Sequence, residues 1–464
     1  MDEPKIDRKD LTELRVEIAQ VTKEIIRLAG MRTRLGGQVG IIKMRDSLPI
    51  EDEGMEDALI REVITECERV GLDRRTGLKI LTVLLAESKK AQGEQERKPP
   101  APIFSRALEQ QRKGVKLVRL DVGEPDFPPP KAVLQGCSDA LFGLKTHYTE
   151  SRGIPELREA LRRYLVSKHR FQAEDSQVAV TPSGRFAVYC ALASVLSEGE
   201  SAVVLEPNWP AYRDVLHQLG VRPSIVHTSF DERWTPSADQ VEEAIRPNTR
   251  AIIVSYPNNP TGKVLSPGLF KEILELADDH GLTVVSDEIY NEYAEKPCPS
   301  VLETTPKKFV LTSSFSKTWS MTGFRVGYAV SSKETIVNIS RMISLMITSV
   351  PEFIQWGAIK ALSADEDVKR NVRAMQERVD AACEELDKID SLEYARPDGA
   401  MYVFPRVNKQ GETGDSFSEK LLTNGVSVVP GSVFGDYGDF FRISLGQPRE
   451  VITNGIRKMG ELFA

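Results

Sequence analysis

The first hundred residues carry apolar side chains at steps of three or four, the spacing that predicts one face of an amphipathic helix. In the unusually long first helix that this spacing predicts, the apolar positions are Leu11, Leu14, Ile18, Val21, Ile25, Leu28, Leu35, Val39 and Ile42. A second helix is predicted from about Glu53 to Val70, with Gly71 as its C-cap, and a third runs from the N-cap Asp73 to about Gln92. Glycines at positions 30, 36, 37 and 40 each cost the first helix up to about 1 kcal/mol relative to alanine, which indicates close packing against a neighbour.

Beyond residue 103 the pattern changes to short apolar runs that alternate with helical stretches. The runs that we interpret as strands are Val178–Thr181, Ala202–Glu206, Ala251–Tyr256, Leu282–Ser286, Phe309–Thr312 and Val326–Val330. Such alternation is typical of βαβ units and predicts an α/β domain with a mainly parallel sheet covered by helices. Further helices and two strands, near Ala400–Phe404 and Phe441–Leu445, then indicate a smaller α+β lobe.

The aromatic residues divide the chain at the same place. The sequence has 17 Phe, 4 Trp and 11 Tyr, and none precedes Phe104. We therefore expect an all-α module over residues 1–95, a polar, proline-containing linker over 96–103, and the α/β domain over 104–464. Because the long first helix lacks a partner of equal length, the small module is expected to dimerise.

Composition and charge argue against several classes of protein. With 41% hydrophobic and 28% charged residues, the 464-residue chain has the composition of a globular protein rather than a disordered one. The net charge of −7 gives no support for nucleic-acid binding. The five cysteines and five histidines are scattered, which favours neither a disulfide framework nor a metal site. No apolar run is long enough to cross a membrane, so we expect a cytoplasmic protein with reduced thiols.

Chemically useful side chains follow the predicted strands, and in open α/β sheets ligands bind outside the carboxyl ends of the strands. Three strands are followed by Asn259, by Asp287 and by Lys317, with Arg325 soon after the lysine. Another strand leads into Ser183-Gly184-Arg185. This set suits pyridoxal phosphate, because a lysine can hold its aldehyde as a Schiff base and an acid can keep its ring nitrogen protonated. Hydroxyls, backbone N–H groups at a helix start and arginine suit its phosphate.

The motifs around these residues resemble those of the fold-type I aminotransferases of the aspartate aminotransferase family, over roughly residues 103–464. The matching segments are Gly123-Glu124-Pro125-Asp126-Phe127, Tyr148 with Gly153-Ile154-Pro155-Glu156-Leu157-Arg158, Asn259-Pro260-Thr261-Gly262, Ser286-Asp287-Glu288-Ile289-Tyr290, Ser314-Phe315-Ser316-Lys317 and Phe441-Arg442-Ile443-Ser444. The resemblance implies pyridoxal 5′-phosphate as cofactor and ping-pong transfer of an amino group between an amino acid and a 2-oxo acid. A lyase or decarboxylase of the same fold is the alternative, since those enzymes share the lysine and the aspartate.

By that resemblance, Lys317 holds the cofactor and acts as the acid and base of the proton shift. The other implied cofactor contacts are Asp287 at the ring nitrogen, Tyr290 and Asn259 at the ring oxygen, Trp209 stacked on the ring, and Ser183, Gly184, Arg185, Ser314 and Arg325 at the phosphate. Arg442 is expected to bind the substrate α-carboxylate, with the Gly123 backbone nearby. Tyr148 is expected to reach the phosphate in the neighbouring subunit, which implies a homodimer.

The N-terminal module offers cations and amides rather than a nucleophile. Arg32 and Lys43 are eleven residues apart and share a face of the first helix, whereas Arg15 is turned roughly 100° away from that face. A dimer can still use all three if Arg15 contributes to the partner's site. Two further pairs, each spaced by four residues and therefore presented side by side, are Asp52 with Glu56 and Ser88 with Gln92.

These seven positions match, without a gap, the active-site pattern of the helical, AroQ-type chorismate mutases, and the resemblance spans about residues 7–95. It implies the rearrangement of chorismate to prephenate, which needs no covalent catalyst. The implied contacts are Arg15 and Arg32 with the two carboxylates, Lys43 and Gln92 with the ether oxygen as negative charge develops there, Glu56 with the hydroxyl, and Asp52 and Ser88 as further substrate-binding residues. Where the family usually has an arginine before the glutamate, this chain has Met55, so the module is either a weaker mutase, which we favour, or a ligand sensor.

Together the two resemblances imply a bifunctional enzyme of aromatic amino acid biosynthesis. The amino donor is expected to be glutamate or aspartate, and the acceptor stays open between prephenate, phenylpyruvate, hydroxyphenylpyruvate and oxaloacetate. A different class is a transcription regulator that fuses a DNA-binding domain to an aminotransferase-like domain. It is disfavoured because the first 98 residues hold 19 Lys and Arg against 20 Asp and Glu, whereas a DNA-binding module is clearly basic.

Overall fold

The computed structural model describes residues 10–93, 103–304 and 306–463. The chain divides into two compact units, residues 1–100 and 101–464. The division falls where the sequence predicts a linker over 96–103. Of that linker the described residues include Ile103 alone, so the proposed domain boundaries at 95 and 104 stay predictions.

The N-terminal unit is all-α, as predicted. Its helices are α1 (Leu11–Arg45), α2 (Glu53–Val70) and α3 (Arg74–Ala91). With 35 residues, α1 is about 50 Å long. Both predicted caps are confirmed: Gly71 ends α2 with left-handed backbone at φ 69°, and the Asp73 carboxylate accepts a hydrogen bond from the Thr76 amide at the start of α3.

Glycines let α1 approach α3 closely. A Cβ atom at Gly36 would lie 2.9 Å from Cβ of Ser88, and one at Gly40 would lie 2.6 Å from Cα of Gln92. The close packing predicted for the α1 glycines is therefore confirmed at these two positions, whereas nothing lies within 4 Å of a Cβ at Gly30. The buried core of this unit is small and aliphatic, and consists of Ile60, Leu78 and Leu81.

The first half of α1 keeps its apolar face exposed. Leu11, Ile18 and Val21 are each at least 60% exposed, and Ile25 and Leu28 are at least half exposed. Contiguous apolar surface of this kind is characteristic of interaction sites in soluble proteins. The exposed face is consistent with the dimerisation expected from the length of the helix.

The second unit is an α/β domain with a smaller lobe. Its helices are α4 (Ile103–Arg112), α5 (Lys131–Phe142), α6 (Pro155–His169), α7 (Gly184–Val195), α8 (Ala211–Gln218), α9 (Ala238–Glu243), α10 (Pro267–Asp279), α11 (Val301–Thr304), α12 (Lys333–Ile347), α13 (Glu352–Ala361), α14 (Asp365–Leu386), α15 (Gly414–Thr423) and α16 (Arg449–Glu461). Its strands are β1 (Val118–Arg119), β2 (Val178–Thr181), β3 (Ser201–Glu206), β4 (Arg222–His227), β5 (Thr249–Val254), β6 (Thr283–Asp287), β7 (Phe309–Ser314), β8 (Gly327–Ser331), β9 (Leu392–Glu393), β10 (Tyr402–Val403), β11 (Arg406–Val407), β12 (Val426–Ser427), β13 (Val429–Pro430) and β14 (Phe441–Ser444).

Seven strands form the main sheet, in the order β2-β8-β7-β6-β5-β3-β4. The pairs β3–β4, β3–β5, β5–β6 and β6–β7 are parallel, whereas β8 runs antiparallel to both β7 and β2. The predicted mainly parallel sheet is therefore confirmed. The sequence pattern did not reveal β4, because Pro223 and polar residues interrupt its apolar run; a proline is tolerated there because β4 is an edge strand.

Helices cover both faces of this sheet. Apolar side chains of α10 and α13 pack on one face, and those of α7 and α12 pack on the other. Residues along β3 alternate between these two cores, with Val203 in one and Val204 in the other, as a strand buried on both faces requires.

The smaller lobe contains the two strands predicted near the C-terminal end. β14 pairs antiparallel with β10 and β13, and β9 pairs with β11. β1 pairs in parallel with β12, so a short segment from the beginning of the second unit completes a lobe that is otherwise built from its C-terminal part. The α+β character predicted for this region is confirmed.

In the described part of the chain all five cysteines are free thiols. No cluster of His, Cys, Asp and Glu within the same ranges is arranged to hold a metal ion. None of the helices described above combines the length and the apolar character that crossing a membrane requires.

Gly40→Ala is expected to loosen the contact between α1 and α3. The added Cβ would meet the Gln92 backbone, which moves only with its helix, and such overpacking costs about 1–3 kcal/mol. We expect faster amide hydrogen exchange in both helices of the full chain. Gly37→Ala is the matched control, because its Cβ would lie 3.6 Å from the nearest atom, at an ordinary contact distance. Equal exchange in the two variants would contradict the close packing.

Candidate active sites

The parallel register brings three strand ends to one edge of the main sheet. Asp287 is the last residue of β6 and lies beside Thr312 of β7. β7 ends at Ser314, three residues before Lys317. β5 ends five residues before Asn259. Neighbouring parallel strands end on the same side of a sheet, so the carboxylate, the amine and the amide meet there.

These three side chains line one cavity of about 330 Å³. The lining residues are Gly123, Ser183, Gly184, Arg185, Trp209, Tyr212, Ser255, Asn259, Asp287, Ile289, Tyr290, Ser316, Lys317, Thr322, Arg325, Tyr402 and Arg442. The cavity thus gathers all the residues predicted for the cofactor and the substrate carboxylate except Ser314 and Tyr148.

Asp287 is a buried carboxylate that is only partly satisfied by hydrogen bonds. Its Oδ2 accepts a hydrogen bond of 2.7 Å from the Tyr212 hydroxyl, while Oδ1 is buried without a hydrogen-bond partner among the described residues. Burial raises the pKa of Asp287 to about 6, although the hydrogen bond from Tyr212 acts in the opposite direction. A protonated group that donates to Oδ1 would satisfy this carboxylate and favour its ionised form.

Lys317 has the properties of an amine that is neutral at mildly alkaline pH. Burial lowers the pKa of Lys317 to about 8; the Glu124 carboxylate acts against this, and the three cavity arginines add to it. Its Nζ donates a hydrogen bond to the backbone carbonyl of Gly123. A neutral lysine amine beside a pocket is the form that attacks an aldehyde.

The N-terminus of α7 forms a corner suited to an anion. Ser183, its N-cap, has φ 101°, a strained backbone for a residue with a side chain. Gly327 lies so close that a Cβ there would be 2.8 Å from the Gly184 nitrogen. Arg185 and Arg325 line the same cavity, and neither is paired with a carboxylate in the described part of the chain: Arg185 lies over the Trp209 ring, and Arg325 donates to a backbone carbonyl. Free N–H groups at a helix start, with two guanidinium groups, suit a phosphate.

Arg442 is a buried guanidinium held at a fixed orientation. It donates to Asn259 Oδ1 at 2.9 Å and to the Asp121 carbonyl at 2.6 Å. The rings of Tyr402 and Phe434 lie 4.4 and 5.2 Å from its Cζ atom. Its Nε is buried without a partner among the described residues. An oriented guanidinium with a spare donor suits the carboxylate of a substrate.

Several cavity residues were missed by sequence reasoning. Tyr402 shares a hydrogen bond of 2.6 Å with the hydroxyl of Tyr290, and Tyr212 bonds Asp287 as described above. Tyr212 lies three residues after Trp209, in the turn that leads into α8, and this closeness in sequence is a signal that could have identified it. The remaining residues that were not indicated are Ser255, Ile289, Ser316 and Thr322.

Two predicted cofactor residues do not line the cavity in the single chain. Ser314 is buried behind the wall, where its Oγ donates to Ser316 Oγ at 2.8 Å, so Ser316 rather than Ser314 faces the cavity. Tyr148 is 85% exposed at the surface. Its contact with a neighbouring subunit stays a prediction.

A second cavity, of about 320 Å³, lies in the N-terminal unit. Its lining residues are Arg32, Leu35, Gly36, Val39, Lys43, Ile50, Asp52, Met55, Glu56, Ala58, Leu59, Glu62, Leu85, Ser88, Lys89 and Gln92. Six of the seven residues predicted for this site therefore meet in one chain. Arg15 lies on the exposed half of α1, outside the lining, and its contribution to a partner's cavity stays a prediction.

Polar groups in this cavity are held by neighbouring elements. Arg32 donates to Ser88 Oγ at 2.6 Å, and Lys43 donates to the Ile50 carbonyl at 2.6 Å. The Gln92 side-chain oxygen is buried without a partner among the described residues. Cations and an amide that are already oriented can stabilise charge that develops on a bound ligand.

The acidic residues of this cavity differ in their surroundings. Asp52 caps α2, where its Oδ1 accepts a hydrogen bond of 3.1 Å from the Met55 amide. Glu56 is buried, and its Oε1 lies 3.2 Å from Nζ of Lys89, a residue that the sequence did not indicate.

Comparison with known proteins identifies both units. Residues 115–459 match the aminotransferase class I and II family. The chain belongs to the class I and II aminotransferases. Residues 14–93 match the chorismate mutase type II family, so the aminotransferase follows a chorismate mutase domain in one chain. Enzymes of this aminotransferase family use pyridoxal phosphate, and the cavity fits it. Asp287 has one oxygen without a hydrogen-bond partner among the described residues, burial lowers the pKa of Lys317, and the N-terminus of α7 suits a phosphate.

Its relatives include aspartate aminotransferases and aspartate/prephenate aminotransferases. A probable aspartate/prephenate aminotransferase of Aquifex aeolicus is 34% identical over 373 residues, which cover 78% of this chain and 94% of that protein. An aspartate aminotransferase of Thermococcus kodakarensis is 36% identical over 333 residues, 70% of this chain and 84% of that protein. The structure of a Thermus thermophilus aspartate aminotransferase with maleate matches with a TM-score of 0.75 at 32% identity, and covers 78% of this chain and 97% of that one.

The lowered pKa of Lys317 predicts how the aminotransferase domain captures its cofactor. The rate at which the apoprotein takes up pyridoxal phosphate should rise with pH and level off above a midpoint of about 8, where the amine becomes neutral. Stopped-flow absorbance of the bound cofactor measures this rate. A midpoint near the ordinary lysine value of 10.5 would contradict the effect of burial.

The raised pKa of Asp287 predicts a pH-dependent stability of the cofactor-free protein. Because the folded-state pKa of about 6 exceeds the ordinary value of 3.8, the apoprotein should lose stability as pH rises from about 4 to 6. Asp287→Asn should abolish this loss, which amounts to about 3 kcal/mol at 1.36 kcal/mol per pKa unit.

Urea unfolding followed by tryptophan fluorescence tests this prediction, since all four tryptophans lie in the second unit. The same variant should bind pyridoxal phosphate more weakly than the native chain. If the two apoproteins have identical stability profiles between pH 4 and 6, the raised pKa of Asp287 is contradicted.

Proposed function

We propose that the chain is a bifunctional enzyme of aromatic amino acid biosynthesis. The N-terminal unit rearranges chorismate to prephenate, and the second unit transfers an amino group between glutamate or aspartate and a 2-oxo acid. The observation that carries the proposal is that one chain contains two cavities, each of which gathers most of the residues predicted for one of these activities.

In the aminotransferase cavity, bound pyridoxal phosphate supplies an electron sink for the bonds of the substrate α-carbon. Lys317 holds the cofactor and moves the proton at the substrate α-carbon. The residues proposed to hold the cofactor are Asp287 at the ring nitrogen, Tyr290 and Asn259 at the ring oxygen, Trp209 on the ring face, and Ser183, Gly184, Arg185 and Arg325 at the phosphate, with Ser314 acting through Ser316. Arg442 binds the substrate α-carboxylate beside the backbone of Gly123.

We favour prephenate as the amino acceptor. The Aquifex aeolicus relative and one from Thermus thermophilus, 34% identical, both have prephenate in their names. The attached mutase domain would produce the same compound. Prephenate would give arogenate, whereas phenylpyruvate, hydroxyphenylpyruvate and oxaloacetate are the acceptors that the assay must separate from it.

In the mutase cavity, the reaction proceeds through oriented polar groups alone. Arg32, held by Ser88, binds one substrate carboxylate, and Arg15 from the partner subunit binds the other. Lys43 and the Gln92 amide bond the ether oxygen, where negative charge develops in the transition state. Glu56 accepts a hydrogen bond from the substrate hydroxyl. Asp52, at the start of the same helix, is a further substrate-binding residue.

Both units point to a homodimer. The exposed apolar face of α1 offers a surface for a second copy, and the same half of the helix carries Arg15. In the aminotransferase domain Tyr148 is exposed, and two apolar residues close to it in sequence are exposed as well: Phe142 is 84% and Leu144 is 73% exposed. Pairing of the chain would cover these surfaces and complete both sites.

A second possibility for the N-terminal unit is ligand sensing without catalysis. The observation behind it is Met55, a 67% exposed side chain in the cavity lining that brings no charge to the position before Glu56. Loss of one preorganised donor at a developing charge can cost about 2.7–4 kcal/mol.

Crossed variants of the full chain test the two activities. Lys317→Ala should abolish transamination and leave the consumption of chorismate unchanged, because the two cavities share no residue. Arg32→Ala should lower chorismate consumption at least about 100-fold, as expected for loss of an oriented charged contact of about 3 kcal/mol, and should leave transamination unchanged. Rates of chorismate loss and of amino transfer are measured on the same preparations.

The acceptor is identified in the same assay. Glutamate or aspartate is offered with prephenate, phenylpyruvate, hydroxyphenylpyruvate or oxaloacetate separately, and prephenate is expected to give the highest kcat/KM. A native chain that binds chorismate without consuming it would establish sensing instead of catalysis. Absence of amino transfer from either donor to any acceptor would contradict the aminotransferase proposal and favour a lyase or decarboxylase.

A further inference from the structure

Lys89 occupies the mutase cavity at a point where the sequence pattern indicated no functional residue. It lies in the last turn of α3, directly after Ser88, and its side chain is 17% exposed. Its Nζ lies 3.2 Å from Oε1 of Glu56 and 2.5 Å from Oε1 of Glu51. The Glu56 side chain is 9% exposed, whereas that of Glu51 is 56% exposed. Lys89 therefore contacts a buried carboxylate of the cavity and an exposed carboxylate that is not part of the cavity lining.

The contact between Lys89 and Glu56 matters because of the charge of the cavity lining. The charged lining residues are Arg32, Lys43 and Lys89 on one side, and Asp52, Glu56 and Glu62 on the other. Without Lys89 the lining would carry one more carboxylate than cations. Chorismate has two carboxylates, so an excess of negative charge in the wall would oppose its binding.

Glu56 also needs an orienting partner. A carboxylate that accepts a hydrogen bond from a substrate hydroxyl must present one oxygen to the substrate while another contact holds the group in place. On its own helix, the preceding side chain is the uncharged Met55. Lys89 reaches Glu56 from the facing helix α3, and the ion pair fixes one carboxylate oxygen.

We propose that Lys89 is a positioning residue of the mutase site, which orients the Glu56 carboxylate and balances its charge so that the cavity admits a dianionic substrate. This inference rests on the mutase activity proposed above. It assigns the cation beside Glu56 to α3 rather than to the position before Glu56 on α2.

Three variants of the full, cofactor-loaded chain test the role of Lys89. Lys89→Met keeps the aliphatic stem and removes the charge; KM for chorismate should rise about tenfold, as for loss of a charged hydrogen bond, with a smaller fall in kcat. Lys89→Arg restores the cation and should return KM to within about threefold of the native value. Glu51→Gln is the matched control: it removes the exposed partner of Lys89, and KM should stay near the native value.

The accompanying measurements separate this role from a structural one. Transamination by the same preparations reports an intact second unit, and circular dichroism with amide exchange of α3 reports an intact first unit. An unchanged KM in Lys89→Met would overturn the proposal. A rise in KM for Glu51→Gln equal to that of Lys89→Met would also overturn the proposal, and so would a failure of Lys89→Arg to restore KM. Either result would give Lys89 a structural role instead of a role at Glu56. The native chain is assayed first, before any variant is compared. If it does not consume chorismate, the mutase proposal itself is wrong and this inference is overturned with it.

Discussion

Burial of the Asp287 carboxylate at the end of β6 is the constraint on which the larger site depends. A carboxylate in a buried position costs free energy unless a donor or a cation satisfies both oxygens, and here Tyr212 satisfies one of them. The surrounding wall supplies an excess of positive charge, from Lys317, Arg325 and other arginines. Such a cavity is complete when it holds a ligand with a protonated nitrogen at one end and anionic groups elsewhere. Pyridoxal phosphate and an amino acid together have this distribution of charge.

The N-terminal unit also holds its polar groups in place before a ligand binds, but for a different reaction. The rearrangement proposed for it needs no nucleophile, so cations, an amide and a carboxylate held around a small anion are sufficient. Gly36 and Gly40 bring α1 close to α3, next to Ser88 and Gln92. The absence of aromatic residues before Phe104 fits this design, because a thin aliphatic helical unit is built on close helix contacts rather than on large side chains.

Much of the fold could be predicted from the sequence, because helix periodicity and strand-length apolar runs report directly on burial. The bounds of α2 and the caps of α2 and α3 follow from Asp and Gly positions. The strand β4 was not predicted, because an edge strand can contain a proline that interrupts the apolar pattern. Most of the residues that the sequence indicated line the two cavities, whereas Tyr402 and Lys89, which also line them, were not indicated. They reach their cavities from elements far away in the sequence, and no local spacing connects Tyr402 with Tyr290 or Lys89 with Glu56.

We propose two successive reactions for one chain, and the transfer of an isotope label from the amino donor, in protein supplied with chorismate, tests this proposal most directly. The purified, cofactor-loaded chain is supplied with chorismate and ¹⁵N-labelled glutamate or aspartate, and the products are followed by mass spectrometry. We expect chorismate to disappear and ¹⁵N to enter an amino acid built on the prephenate skeleton. Chorismate that persists, or prephenate that accumulates while the label stays on the donor, would contradict it.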